Sequence, residues 1–129
     1  MMTTDSSEEV LRGRRVLVVE DQYLIAEEMR RAVERLGGQV LGPVSTLGGA
    51  LSLAARGRLD LALLDVDLHG SEIYPAADEL MSIGAPIIFT TGYEREAMPP
   101  GYRDLPRLDK PVTAGALAAA WTDLRQSLS

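Results

Sequence analysis

The chain has 129 residues, 46% hydrophobic and 25% charged, with a formal net charge of −6, no cysteine and one histidine. This composition describes one globular domain with enough apolar residues for a core. It excludes disulfides, thiolate chemistry and any multi-histidine metal centre, and its acidity leaves no electrostatic reason to bind nucleic acid. No apolar run approaches membrane-spanning length and the polar start has no signal-peptide core, so a cytoplasmic protein without a membrane partner is expected.

Met1–Glu9 is polar and reads as a frayed leader, and the domain boundary is drawn at 1–13 for the leader and 14–129 for the folded part. Arg12, Arg14 and Arg15 form the basic cluster of the chain and read as a solvated flank. Arg15–Val19 is a first buried strand that runs straight into Glu20 and Asp21. Gln22–Leu36 follows as a helix, with Ile25, Met29, Ala32, Val33 and Leu36 on one face and i,i+4 pairs such as Glu27 with Arg31 on another. Gly37-Gly38 stops it. Gln39–Val44 is a second strand, with Pro43 placing it at a sheet edge. Ser45 or Thr46 caps an Ala-rich helix that turns Leu47, Ala50, Leu51 and Ala54 inward and ends at Gly57.

Leu61–Leu64 is a third apolar strand, ending in Asp65, Val66 and Asp67. On this stretch alone two readings stay open. The two carboxylates cap a turn or the next helix, or they sit at the sheet edge where open parallel sheets bind ligands. Ser71 caps a third helix with Ile73, Ala76, Ala77 and Leu80 inward, Pro75 in its first turn and Gly84 after its end. Pro86–Phe89 is a fourth strand, ending in Thr90-Thr91-Gly92-Tyr93. The segment Glu94–Arg103 carries Pro99, Pro100 and Gly101, so it predicts an irregular crossover with at most a short helix from Glu94 to Met98. Leu105–Leu108 is a weak fifth strand broken by Pro106 and followed by Asp109-Lys110-Pro111. Thr113 caps a last helix striped with Leu117, Ala120, Trp121, Leu124 and Leu128, with Trp121 read as a core residue.

Strands alternating with helices predict an α/β domain, doubly wound around a five-stranded parallel sheet, with right-handed crossovers and a short or irregular fourth helix. The strand ends then collect Glu20, Asp21, Asp65, Asp67, Thr91 and Lys110 on one edge. Clustered carboxylates repel one another unless a cation offsets them, and an all-oxygen set suits Mg²⁺. Such a site suits phosphoryl chemistry: a carboxylate nucleophile, a metal, a lysine and a hydroxyl. No Gly-rich phosphate loop follows the first strand, which argues against dinucleotide or P-loop binding.

The pieces Val-Leu-Val-Val-Glu-Asp (16–21), Leu-Leu-Asp-Val-Asp-Leu (63–68), Phe-Thr-Thr-Gly-Tyr (89–93) and Asp-Lys-Pro (109–111), in this order at successive strand ends, resemble the receiver domain of bacterial two-component response regulators. The resemblance covers roughly Arg14 to Leu128. It implies a flavodoxin-like receiver fold with sheet order 2-1-3-4-5 and five helices. It also implies a phosphoacceptor at Asp65, with Thr91 and Lys110 contacting phosphoryl oxygens. Glu20, Asp21, Asp65 and the backbone carbonyl of Asp67 would hold Mg²⁺, with Mn²⁺ or Ca²⁺ as substitutes. The Thr-Gly-Tyr signature and Glu-Ile-Tyr-Pro (72–75) are similar to a stand-alone branch linked to alphaproteobacterial stress signalling.

On that resemblance the phosphodonor is a histidine kinase or histidine phosphotransfer protein. Output passes to an unidentified downstream protein, because Ser129 is expected to leave no room for a DNA-binding domain. A monomer or weak dimer is expected, with Mg²⁺-dependent self-phosphorylation and slow self-dephosphorylation rather than ordinary turnover. Three departures from the pattern stand out. Asp67 replaces a residue that is often neutral, Arg107 replaces a switching aromatic three before the lysine, and His69 precedes Gly70 where a proline is common. Tyr93 and Tyr102 are candidate substitutes for the aromatic; His69 reads as a loop residue without a catalytic role. The competing readings are a pseudo-receiver that no longer takes phosphate and a small Mg²⁺-dependent phosphatase with an Asp nucleophile.

Overall fold

The computed structural model describes residues 9–67, 73–92 and 98–128. Its strands are β1 (Arg15–Val19), β2 (Gln39–Val44), β3 (Leu61–Asp65), β4 (Ile87–Thr91) and β5 (Arg107–Asp109). They form one parallel sheet in the order β2-β1-β3-β4-β5. Among the described residues the helices are α1 (Tyr23–Arg35), α2 (Leu47–Ala54), α3 (Ile73–Ser82) and α4 (Ala114–Leu128), and a 3₁₀ turn, Pro100–Tyr102, lies in the crossover from β4 to β5. The doubly wound α/β architecture and the 2-1-3-4-5 order are therefore as expected.

Strand alternation divides the core in two. Leu17, Val19, Ala62, Leu64, Ile87 and Phe89 face α2 and α3, with Ala50, Ala54, Ala77 and Leu80. Val16, Val18, Leu61, Leu63 and Ile88 face α1 and α4, with Met29, Val33, Leu117 and Trp121. A strand covered on both faces must be apolar throughout, which is why β1 and β3 were readable as unbroken hydrophobic runs. The edge strand β2 is half exposed, and its pairing with β1 slips between Leu17 and Val19. Gly42 sits there at φ +92°, and a Cβ on it would lie 2.7 Å from the Val44 nitrogen, so only glycine fits.

Several local expectations shift. Arg30 makes the direct bonds to Glu27 and Glu34, while the expected partner Arg31 acts on Glu27 through its charge. Thr46, not Ser45, caps α2, accepting the Gly49 N–H at 3.0 Å, and α2 ends at Ala54, before Gly57. Thr113 caps α4 by accepting the Ala116 N–H at 3.1 Å. The fifth strand begins at Arg107 rather than Leu105. Pro106 has no N–H to give the ladder, although its carbonyl accepts the Phe89 N–H at 2.9 Å, and Leu105 packs against the α2/α3 core. In the expected leader, Leu11 is fully buried and its N–H donates to the Leu36 carbonyl at 2.9 Å, so packing already begins before residue 14. Residues 1–8, the expected Ser71 cap, His69, Tyr93 and the expected helix from Glu94 lie outside the described residues, apart from Met98, which is buried. Among the described residues no helix is long and apolar enough to cross a membrane.

Candidate functional site

Each site residue is delivered by the C-terminal end of a strand. β1 continues into Glu20, whose N–H donates to the Val44 carbonyl at 3.0 Å and so stays in the plane of the sheet. The Gln22 N–H then folds back to Glu20 Oε2 at 3.2 Å before α1 begins. β3 delivers Asp65, and the Val66 N–H donates to the Thr90 carbonyl at 3.0 Å, tying the end of β3 to β4. β4 ends in Thr91, which is buried, and its carbonyl accepts the Lys110 N–H at 2.9 Å. That bond fixes the backbone from which the Lys110 side chain reaches back across the edge.

Lys110 Nζ donates to Asp65 Oδ1 at 2.9 Å, lies 2.9 Å from Glu20 Oε1 and stands 3.8 Å from Asp67 Oδ2. The Asp67 N–H donates to the same Asp65 Oδ1 at 2.9 Å. Glu20 and Asp65 are only 2% and 1% exposed, whereas Asp21 is open to solvent and Asp67 is partly so. Carboxylate oxygens of Glu20, Asp21 and Asp65 all lie within 4.8 Å of one another. The sequence-nominated acids thus converge, with Asp67 on the rim of the cluster.

Three carboxylates approach one ammonium, and Asp21 adds a fourth negative charge beside them. Burial pushes the Glu20 carboxyl above its ordinary pKa, and the charge of Asp65 adds to this, against the opposing pull of Lys110 and the Gln22 N–H. Asp67 is raised by burial first and by Asp65 next. Burial works against the Lys110 ammonium, but its contacts with Asp65 and Glu20 outweigh that and raise its pKa. Glu20 Oε1 is buried and, although close to Nζ, receives no hydrogen bond from it. An oxygen in that position, beside two further carboxylates, fits a hard divalent cation with all-oxygen ligands. Glu20, Asp21 and Asp65 are the side chains that would hold it.

Sequence reading missed an aromatic group beside this edge. Tyr74 of α3, Phe89 of β4 and Tyr102 of the crossover are mutually packed, and the Tyr102 O–H donates to Asp78 Oδ2 at 2.9 Å. Only the four-residue spacing of Tyr74 and Asp78 on one helix hinted at it. Trp121 is buried as expected, with the guanidinium carbons of Arg14 and Arg125 each 5.5 Å from its ring centre.

No family model matches the chain. The solved structure of SdrG in its BeF3-activated conformation, from Pseudomonas melonis Fr1, is 37% identical with a TM-score of 0.76, covering 85% of this chain and 94% of that one. A CheY-like response regulator receiver domain from Methylobacillus flagellatus, 20% identical at a TM-score of 0.74 over 86% of this chain and 98% of that one, shares the fold. The phyllosphere-induced regulator PhyR of Methylorubrum extorquens is 36% identical over 81 residues, 60% of this chain and 30% of that protein. The chain spans only 30% to 52% of the length of the curated relatives it matches.

Proposed function

This chain belongs to the receiver domains of response regulators, and on that premise we propose that Asp65 accepts a phosphoryl group from a phosphohistidine on a kinase or phosphotransfer protein, and that the chain signals by contact with another protein. The observation that carries this reading is the hydrogen bond from Lys110 Nζ to an almost fully buried Asp65 at the edge of a parallel sheet.

Asp65 Oδ1 takes two donors, the Lys110 ammonium and the Asp67 N–H, which orients the carboxylate and leaves Oδ2 as the attacking oxygen. Oδ2 forms the new bond to phosphorus while the bond from phosphorus to the donor imidazole nitrogen breaks, and the nitrogen keeps that electron pair. Lys110, held at its backbone by Thr91, is assigned to one phosphoryl oxygen and the Thr91 hydroxyl to another. Glu20, Asp21 and Asp65, with the Asp67 carbonyl, are assigned to Mg²⁺. When bound, that ion supplies positive charge against the transferring oxygens. Tyr23 and Leu24, 74% and 76% exposed on the first turn of α1 just after Asp21, offer an apolar landing surface beside the acidic edge for the donor protein.

The deciding experiment is intact-mass detection of an acyl phosphate after incubation with acetyl phosphate, with and without Mg²⁺. One Mg²⁺-dependent phosphoryl adduct on the chain, lost in Asp65→Asn, is the expected result. No adduct would favour a pseudo-receiver, and rapid release of phosphate a phosphatase.

A further inference from the structure

Thr90 is the last but one residue of β4, and its side chain is fully buried. Its Oγ1 has no hydrogen-bond partner among the described residues. Buried hydroxyls are normally paired, because a polar group taken out of water and left without a partner destabilises the fold.

The register fixes its surroundings. Thr90 is matched with Asp65 on β3 and with Leu108 on β5. Leu63 and Ile88, each two residues earlier on its strand, lie with Leu108 in the core against α1 and α4. Side chains alternate along a strand, so Asp65 and Thr90 turn to that same face. Neighbouring strands stand about 4.8 Å apart, which makes the two side chains direct neighbours. A turn about the Cα–Cβ bond of Thr90 carries its hydroxyl towards the carboxylate or away from it.

Lys110 meets the same residue from the other side. β4 lies between β3 and β5, and Lys110 follows β5, yet its Nζ donates to Asp65 Oδ1 at 2.9 Å. The lysine side chain spans β4 to get there, and Thr90 is the β4 residue in register with Asp65 on the face it crosses. Asp65 Oδ1 already takes two donors, Lys110 Nζ and the Asp67 N–H. A third donor has no place at that oxygen, which accounts for the idle hydroxyl.

We propose that when Asp65 Oδ2 carries a phosphoryl group and Lys110 moves to a phosphoryl oxygen, the Thr90 hydroxyl takes the place of Lys110 at Oδ1 and shortens the lifetime of the acyl phosphate. This rests on the phosphoacceptor reading and goes beyond it, since that reading uses Thr91 and leaves Thr90 without a part. The step it acts on is hydrolysis. Water attacks phosphorus and its oxygen forms the new P–O bond. The bond from phosphorus to Oδ2 breaks and the Asp65 carboxylate keeps that electron pair, while the protons of the water pass to phosphate and solvent. As the carboxylate departs, negative charge spreads onto Oδ1. A hydroxyl donating there stabilises the departing carboxylate more than the neutral acyl oxygen, and so lowers the barrier.

The test uses the full chain, phosphorylated with acetyl phosphate and Mg²⁺ and then freed of the donor, with decay of the adduct followed by intact mass. Thr90→Val has almost the same shape and lacks the donor; Thr90→Ser keeps the donor. Thr90→Val is expected to lengthen the half-life of the adduct about five-fold, the effect of losing one ordinary hydrogen bond from the transition state. Thr90→Ser is expected to decay like the unsubstituted chain. Urea unfolding without phosphodonor separates this from a structural role: Thr90→Val should be no less stable than the unsubstituted chain, because the hydroxyl it loses is unpaired there. A Thr90→Val half-life that is unchanged or shorter would overturn the inference and leave the phosphoacceptor reading standing. So would a Thr90→Ser chain that decays as slowly as Thr90→Val, or a Thr90→Val chain that is already destabilised before phosphorylation. No adduct on the unsubstituted chain would overturn that reading and the inference with it.

Discussion

The two edges of the sheet handle charge in opposite ways. At the N-terminal edge the Arg15 backbone N–H donates to Asp60 Oδ2 at 2.8 Å, its Nε to the Arg58 carbonyl at 2.6 Å, and Arg58 Nε to the same Asp60 at 3.0 Å. Arg58 also donates to the Gly13 carbonyl at 2.8 Å, and Arg12 pairs with Glu9. Opposite charges alternate there, most guanidinium groups face water, and the bonds lace the approach to β1 to the turn before β3. At the C-terminal edge Glu20 and Asp65 are buried, with Asp21 and Asp67 beside them and, among the described residues, the Lys110 ammonium set between Glu20, Asp65 and Asp67. Ion pairs in solvent contribute little and cost little, whereas buried like charges destabilise a fold unless something else requires them. The contrast separates an edge laced by ion pairs from the edge to which we assign the chemistry.

The largest break in this contrast is Lys110→Ala. Removing the ammonium leaves Glu20 and Asp65 buried without it, and a loss of about 3 kcal/mol is expected in urea unfolding without added cation. Mg²⁺ works in the other direction. At a hundred-fold excess over its Kd it should add about 2.7 kcal/mol of stability, seen as a raised Tm, and Asp21→Asn should shrink the gain while Asp60→Asn leaves it intact.

The acidic edge also has a pH signature. Glu20 and Asp67 are raised above their ordinary values, so between those values and the raised ones the folded chain holds more protons than the unfolded chain. Their contribution to stability therefore grows as pH falls through the raised values, and is absent once both are ionised in both states. Unfolding measured from neutrality down into the ordinary carboxylate range should show this gain. Asp67→Asn should flatten it, weaken Mg²⁺ binding and change the lifetime of the acyl phosphate; if cation affinity and lifetime both stay put, the Asp67 side chain has no part in the site. The smallest effect is expected at the other edge. Asp60→Asn should cost about 1 kcal/mol or less and leave the phosphorylation assay unchanged.

Much of this was legible in order along the chain. Leu61–Leu64 read as a strand covered on both faces, with Asp65 at its end, and it is one. Glu20 and Asp21 were equally plain, because a carboxylate pair directly after an apolar run marks where a strand leaves the core. β5 was misplaced by two residues, since Pro106 withdraws its N–H from the ladder while its carbonyl stays in it. Tyr102 could be nominated only as a substitute aromatic. Its partner Asp78 lies 24 positions away, and no periodicity links a crossover to the face of a preceding helix.

By itself the sequence determined the order and type of the strands and the main helices, and that acids, a hydroxyl and a lysine end successive strands, because period and burial are written into neighbouring positions. Only the tertiary structure decided that Lys110 bonds Asp65 and crowds Glu20, that Asp67 stays on the rim, and that Tyr102 hooks α3. Lys110 and Asp65 are 45 positions apart, and their contact follows from the parallel register that places the ends of β3, β4 and β5 side by side.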